Sequence, residues 1–326
     1  MTPHWTSLRD AKYAPSCNTT YNYRMTSAHP DPHPRKSYLI GLAIAIIGTI
    51  LFSTKAIVAK LIYRYQVDAI TLLAFRMMFS LPFFVVVALW KMRVSAPLSA
   101  ADRWRLIGLG LIGYYLSSFL DFLGLQYISV GLERLILFLT PSFVLLISVV
   151  LFKRRVSRIE WIALGTSYLG IVLVFVQDLK IGGGVAFGAT LVLGAALSYS
   201  LYLIFSGELV RRVGSLRLVA YAMCCSSVAC IGQFFLMRPV AMLVQPTGVY
   251  WLSLCNAVFC TVLPVFMTMI AVSRIGAASA SQAGMIGPVS TLFLGVLVLN
   301  EPLTAWQVAG TALVLIGIYF LSKKTS

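Results

Sequence analysis

The chain has 326 residues, of which 59% are hydrophobic and 11% are charged, and its mean hydropathy is +0.88. Soluble proteins carry roughly a quarter of charged residues, so this composition indicates an integral membrane protein with many spans. The formal net charge of +16 does not indicate nucleic-acid binding, because the basic residues do not gather on one soluble face.

The placement of histidine and cysteine excludes several kinds of chemistry. All three histidines (His4, His29 and His33) precede the first apolar run, and the membrane cysteines form no C-x-x-C pair. Ser-His-Asp triads, zinc sites and disulfide frameworks are therefore excluded from the membrane part. The sequence also contains no P-loop. We predict no catalytic residue, no metal and no cofactor.

Residues 1–37 are polar and have no apolar run of the kind found in a secretory signal. We predict a disordered cytoplasmic tail there, with Met25 left open as an alternative start.

Ten apolar segments follow, and runs of this length predict helices, because only helices and closed barrels satisfy their backbone in lipid. The predicted fold class is an all-α integral membrane protein with ten spans. The spans are 38–60, 67–90, 104–125, 131–151, 158–177, 184–206, 215–237, 249–272, 277–299 and 303–322.

Basic residues between the spans predict the orientation. If the N-terminus is inside, most flanking Lys and Arg residues fall inside, and the outside segments hold only Lys60, Arg64, Lys180 and Arg238. This asymmetry follows the positive-inside rule. We expect a multi-pass protein of the cytoplasmic membrane with both termini in the cytoplasm.

An internal repeat organises the spans, and it needs no gap. Five spans in each copy predict that the second copy enters the membrane from the opposite side, as an inverted repeat. We place the repeats at 38–177 and 184–322, around a central cavity. One constant offset pairs Gly41 with Gly188, Ser53 with Ser200, Trp104 with Trp251, Phe119 with Phe266, Ile128 with Ile275, Pro141 with Pro288 and Gly170 with Gly317.

Five ionisable residues lie within spans of the first copy: Lys55, Arg76, Asp121, Glu133 and Arg134. Their counterparts in the second copy are uncharged: Tyr202, Met223, Thr268, Ala280 and Ser281. Charges are costly in a membrane and usually mark function. We therefore predict that the five line a solute site, while ion pairs that lock two helices remain an alternative. Full internal pairing is impossible if all five are ionised.

Polar faces on three spans add further candidates, of which those on spans 6 and 9 rank second. Tyr114, Ser117, Ser118 and Asp121 share one helical face by their spacing. Tyr202 in span 6 and Gln282 in span 9 lie on similar polar faces. Packing through small hydroxyl residues would produce the same pattern.

Three prolines within spans are candidate gating residues: Pro141, Pro264 and Pro288. Proline frees a backbone carbonyl and bends a helix, which gives a place for rocking movements. A static bend is the alternative.

Two matching segments carry a family resemblance. LTPSFVLLISVVLFKRRVS (139–157) and IGPVSTLFLGVLVLNEPLT (286–304) resemble the EamA-type transporters of the drug/metabolite transporter superfamily, with the Asn300-Glu301-Pro302 turn typical of them. The resemblance implies helices around a central cavity, peripheral spans 5 and 10, and alternating access. Lys55 departs from the glutamate that smaller multidrug relatives use for proton coupling.

We therefore expect a secondary active transporter of a small metabolite, with an amino acid or organic anion favoured. Lys55, Arg76 and Arg134 would attract the anionic group, and Asp121 or Glu133 would couple a proton, since burial favours the neutral acid. A multidrug or nucleotide-sugar transporter and a membrane-embedded lipid-modifying enzyme remain alternatives. The expected partners are a small-molecule substrate and the lipid bilayer, without nucleic acid; a homodimer is left open.

Overall fold

The computed structural model describes residues 34–153, 157–179 and 183–325. The predicted tail up to residue 33, and Arg154, Arg155 and Lys180 of the flanking basic set, lie outside these ranges. The described residues are helical and contain no β-strand. The predicted fold class is confirmed.

Ten apolar helices match the ten predicted spans in chain order, nine of them long and one shorter. A 3₁₀ turn, Val240–Leu243, stands between the seventh and the eighth. The helices are α1 (Tyr38–Tyr63), α2 (Ala69–Val94), α3 (Ala100–Leu125), α4 (Val130–Leu151), α5 (Arg158–Leu179), α6 (Val185–Val213), α7 (Ser215–Met237), α8 (Thr247–Gly276), α9 (Gln282–Leu299) and α10 (Ala305–Phe320).

Short polar side chains start several of these helices. The carboxylate of Asp68 accepts the N–H of Ile70 at the start of α2. Ser99 and Ser129 do the same for α3 and α4, accepting the N–H groups of Asp102 and Leu132 at 3.1 Å each. These caps satisfy N–H groups that have no partner inside the helix.

The backbone repeats its irregularities in both copies. A π-helical segment interrupts α3 at Leu111–Leu116, and another interrupts α8 at the equivalent Val258–Val262. Lys153 and Asn300, which are equivalent, end α4 and α9 with positive φ values of 51° and 57°. Departures from regular helix at matching positions show that the two copies share one backbone plan.

The packing of the helices is also two-fold. α1 packs on α8 and α9 as α6 packs on α3 and α4, while α2 pairs with α7 and α5 with α10. Exchanging the two copies reproduces this set of neighbours.

Glycine allows the closest helix crossings. A Cβ on Gly310 of α10 would lie 2.5 Å from the carbonyl oxygen of Gly170 on α5. A Cβ on Gly41 would lie 2.5 Å from Ile275, and one on the equivalent Gly188 would lie 2.9 Å from the equivalent Ile128. The repeat visible in the sequence thus corresponds to equivalent contacts between the helices.

The bundle has two ends, which we name by one residue each. The Glu301 end carries the loops at 64–68, 126–129, 238–246 and 300–304. The Gln282 end carries the loop at 95–99 and the helical kink at Gly276. Between them, large apolar side chains such as Trp161, Leu169 and Phe293 are exposed on the outer surface, as expected of helices that face lipid.

Candidate functional site

A cavity of about 480 Å³ lies between the two repeats. Its wall includes residues of α1, α2, α3 and α4 and of α6, α7, α8, α9 and α10. On the side of the Glu301 end the lining is charged, with Lys55, Arg76, Asp121 and Arg134. Toward the Gln282 end it is formed by residues such as Gln282 and Met285, and Gln282 is exposed.

The structure brings most of the candidate binding residues to this cavity. Glu133 is fully buried behind the lining, and Tyr202 is buried behind Tyr114. The candidates in the lining are Lys55, Arg76, Tyr114, Ser118, Asp121, Arg134 and Gln282. A solute-binding role for each of them stays a prediction.

Lys55 of α1 holds two carboxyl groups from two other helices. Its Nζ lies 2.5 Å from Asp121 Oδ2 on α3 and 3.4 Å from Glu133 Oε1 on α4. All three side chains are almost completely buried. The rings of Phe52 and Phe122 each lie 5.4 Å from the Nζ atom. The ammonium group of Lys55 is therefore already paired with carboxyl groups of the protein.

Arg76 of α2 is buried without a carboxylate partner. Its Nε donates to Thr261 Oγ1 at 2.8 Å, and Thr261 in turn donates to the carbonyl of Asn256 within the π-helical region of α8. The guanidinium lies over the ring of Phe122 at 5.0 Å. Its Nη1 has no hydrogen-bond partner. Thr261 thus orients the group and leaves a donor free.

Arg134 of α4 has a similar environment. Its Nη2 donates to Ser53 Oγ at 2.9 Å, and its guanidinium lies 5.1 Å from the ring of Phe52 and 5.7 Å from that of Phe138. Its Nε has no hydrogen-bond partner. Within the described ranges, no carboxylate oxygen lies within 4.0 Å of Arg134 or of Arg76.

Glycine makes room for Arg134. A Cβ at Gly287 of α9 would lie 2.9 Å from Arg134 Nη2. The second repeat therefore approaches the charged cluster of the first without contributing a charge there.

Three tyrosines form an aromatic wall between α3 and α6. The hydroxyl groups of Tyr114 and Tyr202 lie 3.3 Å apart, and Tyr199 stacks on Tyr202 with ring centroids 5.6 Å apart. Tyr114 and Tyr199 line the cavity. Gly113 lets the ring of Tyr202 pack directly against the backbone of α3.

The three prolines stand in the first turn of a helical segment, after an interruption rather than within one. Helix α4 breaks at Phe138 and Leu139 and resumes at Thr140, next to Pro141; Pro264 follows the π-helical segment of α8. At the start of a helix the missing N–H of proline costs little. Pro141 and Pro264 line the cavity, whereas Pro288 is buried in α9.

Sequence reasoning missed several residues that shape the site. Phe52 and Ser53 hold Arg134, and Thr261 holds Arg76. Phe52 lies three residues before Lys55, on the same helical face, which is a signal that the sequence contains. Thr261 lies far along the chain from Arg76, and only the fold brings the two together.

The Glu301 end is tied by polar contacts. Asp178 of α5 accepts the backbone N–H of Ser129 at 3.2 Å and its hydroxyl at 2.6 Å. Glu301 of the second repeat accepts the N–H of Val130 at 3.3 Å. Burial raises the pKa of Glu301, and the hydrogen bond from Val130 opposes this effect. The first turn of α4, just before Glu133 and Arg134, is thus held from two sides.

Comparisons with known proteins point to one family. The profile of the EamA-like transporter family matches residues 39–176 and again 186–323. The uncharacterized transporter YcbK of Bacillus subtilis is 29% identical over 293 residues, covering 86% of this chain and 91% of the relative. An uncharacterized transporter of Archaeoglobus fulgidus is 26% identical over 223 residues, covering 68% of this chain and 79% of the relative.

A solved structure, titled only as the crystal structure of a protein, has the same fold. It is 17% identical, with a TM-score of 0.62, and the match covers 88% of this chain and 99% of the other. The two family matches together span most of the sequence and coincide with the two copies of the helical bundle. The chain belongs to the EamA-like transporter family.

Proposed function

We propose that the protein is a secondary active transporter that carries a small organic anion through the central cavity by alternating access. The observation that carries this proposal is the pair of buried guanidinium groups, Arg76 and Arg134. Both line the cavity, and each has an N–H group without a partner. Buried charges of this kind are costly unless an opposite charge compensates them. A carboxylate bound in the cavity would supply that charge.

The charge balance favours an anion over a cation. Lys55 is shared by Asp121 and Glu133, so the two arginines are the groups left for a solute. A transporter of cationic drugs would need a cavity of the opposite sign. The multidrug alternative is therefore disfavoured.

The rest of the lining favours a solute with an apolar body. Phe52, Phe138, Met223 and Met269 line the cavity, and the first two lie against Arg134. Arginine recognises a carboxylate through paired N–H groups, while aromatic and thioether side chains adapt to apolar surface.

An amino acid is the second candidate, and one atom favours it. Asp121 lines the cavity, and its Oδ1 has no hydrogen-bond partner. The atom itself is buried, so we propose that a conformational change of the transport cycle exposes it to an ammonium group while an arginine binds the carboxylate.

Alternating access would open the two ends in turn. Tyr63 donates to the carbonyl of Phe122 at 2.6 Å, close to the charged lining. A second cavity of about 320 Å³, lined by Tyr63 and Asp68 among others, lies on the Glu301 side of this contact. The contact would be the barrier between the two cavities, and the breaks in α4 and α9 would allow rocking near Pro141 and Pro288. The basic flanks favour an orientation with the Glu301 end outside and both termini inside.

Substitution by the counterparts of the second repeat provides the test. Arg76→Met and Arg134→Ser each introduce the residue found at the equivalent position, and Arg93→Met removes an exposed charge as a control. Purified protein is screened by thermal shift against organic acids, amino acids and nucleotide sugars, because a ligand of the folded state raises its Tm. The best ligand is then followed in proteoliposomes.

We expect an organic acid to give the largest shift in Tm. Each arginine variant should lower its transport at least about tenfold, since hydrogen bonds to charged groups are worth about 1.5–3 kcal/mol, while Arg93→Met should transport normally. Full transport by both arginine variants would refute the anion site.

A further inference from the structure

The cluster around Lys55 contains two carboxyl groups for one lysine. We propose that Glu133 is the binding site of a transported proton, and that this proton and the anion bind cooperatively and move in the same direction. The inference deepens the proposed function and rests on it.

Glu133 is the less compensated of the two acids. Asp121 lies 2.5 Å from Lys55, whereas Glu133 lies 3.4 Å away and is 0% exposed. Neither oxygen of Glu133 has a hydrogen-bond partner, and Oδ1 of Asp121 has none either. A buried carboxylate without donors is strongly penalised, and accepting a proton removes the penalty.

The two acids are held by one cation. Both carboxyl groups contact the Nζ atom of Lys55, Asp121 at 2.5 Å and Glu133 at 3.4 Å. Two carboxylates have no hydrogen to donate to one another, so only protonation of one of them allows a hydrogen bond within the pair. Asp121 lines the cavity and Glu133 does not. Asp121 and Lys55 therefore stand on the path by which a proton reaches Glu133.

Charged and titratable groups surround Glu133 on several helices. Arg134 follows it on α4, Glu301 lies just beyond the end of α9, and Cys230 and Cys260 of α7 and α8 lie around Arg76. The other titratable groups in its surroundings are Lys55, Lys60 and Tyr63 on α1, Arg76 on α2 and Asp121 on α3.

The sign of the cooperativity follows from the charges. With both acids ionised, three cations and two carboxylates leave the cluster with one positive charge. Protonation of Glu133 leaves two, so an anion at Arg76 and Arg134 is bound more tightly. By reciprocity the anion then raises the affinity for the proton by the same factor.

The direction of coupling follows from separate sites. The anion binds guanidinium groups and the proton binds a carboxyl group, so the two do not compete for one site. A carrier that holds both together moves them together. The expected mode is proton–anion symport rather than exchange.

Infrared difference spectroscopy of the purified full-length protein tests the proton site without any ligand. A buried neutral carboxyl group gives its own C=O stretching band, which should appear as the pH falls from alkaline to acid. The component of the band that is due to Glu133 should disappear in Glu133→Gln and remain in Glu208→Gln, which alters an exposed carboxyl group. A titrating band that is unchanged in Glu133→Gln, or absent from the wild type, would overturn the proposal.

A second variant covers the case in which Glu133→Gln does not fold. Glu133→Asp keeps the acid and moves it one carbon farther from Lys55. The midpoint of the band should then shift. An unchanged midpoint would assign the signal to another group and overturn the proposal.

Benzoate, a carboxylate with an apolar body, tests the linkage. At pH values where benzoate stays ionised, the wild type should bind it at least about fivefold more tightly at the acid end of the range. Glu133→Gln should bind it independently of pH. Unchanged or weaker binding at acid pH would refute the cooperativity. Absence of benzoate binding at every pH would count against the anion site, while the infrared result still decides the proton site.

Discussion

The two repeats have the same backbone plan and different chemistry. Both contain a π-helical segment, a broken fourth helix and a left-handed end, at equivalent positions. Only the first contributes charged side chains to the described lining of the cavity, while Met223 and Thr268, the counterparts of Arg76 and Asp121, line the same cavity as uncharged residues. The two repeats thus share one backbone fold, whereas the charged part of the site belongs to the first repeat.

Because only one repeat contributes charge, a symmetric backbone can bind a ligand whose two ends differ. A charge needed for the fold would be needed in both copies. The arginines of the first repeat instead meet groups of the second that only orient them or make room, such as Thr261 and Gly287. Substitutions at positions where the two repeats differ should disturb this division of roles.

Removal of the lysine that the second repeat lacks should have the largest effect. In Lys55→Met, two buried carboxyl groups lose their cation, and breaking a buried ion pair costs about 3–5 kcal/mol. We expect a large drop in Tm at neutral pH and loss of transport. Asp121→Thr, which introduces the residue of the second repeat, should restore part of the Tm when combined with it. An unchanged Tm in Lys55→Met would show that the cluster does not depend on the ion pair.

Gly310→Ala makes the second repeat more like the first, which has Ala163 at the equivalent position. The new methyl group would lie 2.5 Å from the carbonyl oxygen of Gly170, so α5 and α10 must separate. Overpacking typically costs about 1–3 kcal/mol, which a shift in Tm would report. Gly165→Ala on α5 is the matched control, because its Cβ meets nothing within 4 Å. Equal Tm values for the two variants would contradict the close crossing.

The smallest effect should come from Glu301, the acid by which the second repeat holds α4. Burial raises the pKa of Glu301, so its contribution favours the folded state at acid pH. That contribution is lost as the pH rises through the folded-state pKa. Glu301→Gln should therefore flatten the pH profile of the Tm in the weakly acid range. A profile that keeps the wild-type slope would assign the dependence to other groups.

The sequence was sufficient to predict the spans and the repeat. Apolar runs of about 20 residues predict helices in lipid, and equivalent pairs such as Gly170 and Gly317 follow one constant offset across the five spans of each copy. The surplus of positive charge also followed from counting Lys55, Arg76, Asp121, Glu133 and Arg134. Hydropathy and formal charge are properties of each residue type and do not depend on how the helices pack.

The contacts within the site could not be predicted in the same way. That Lys55 serves both acids depends on how α1, α3 and α4 cross, and hydropathy does not record crossing angles. The roles of Ser53 and Thr261 depend on partners far along the chain. The π-helical segments change the local register by one residue, which the periodicity of the apolar positions does not reveal. The prolines indicated breaks, but the breaks precede them.

The π-helical segments at equivalent positions also bear on the evolutionary origin of the two repeats. An extra residue accommodated at Leu111–Leu116 and again at Val258–Val262 is most simply explained by one insertion in a half-length ancestor, copied when the gene duplicated. Such an ancestor had five helices and could enclose a cavity only by pairing with an antiparallel twin. Once the two halves are fused in one chain, their sequences can differ, and the cavity charges of this protein are carried by one half only.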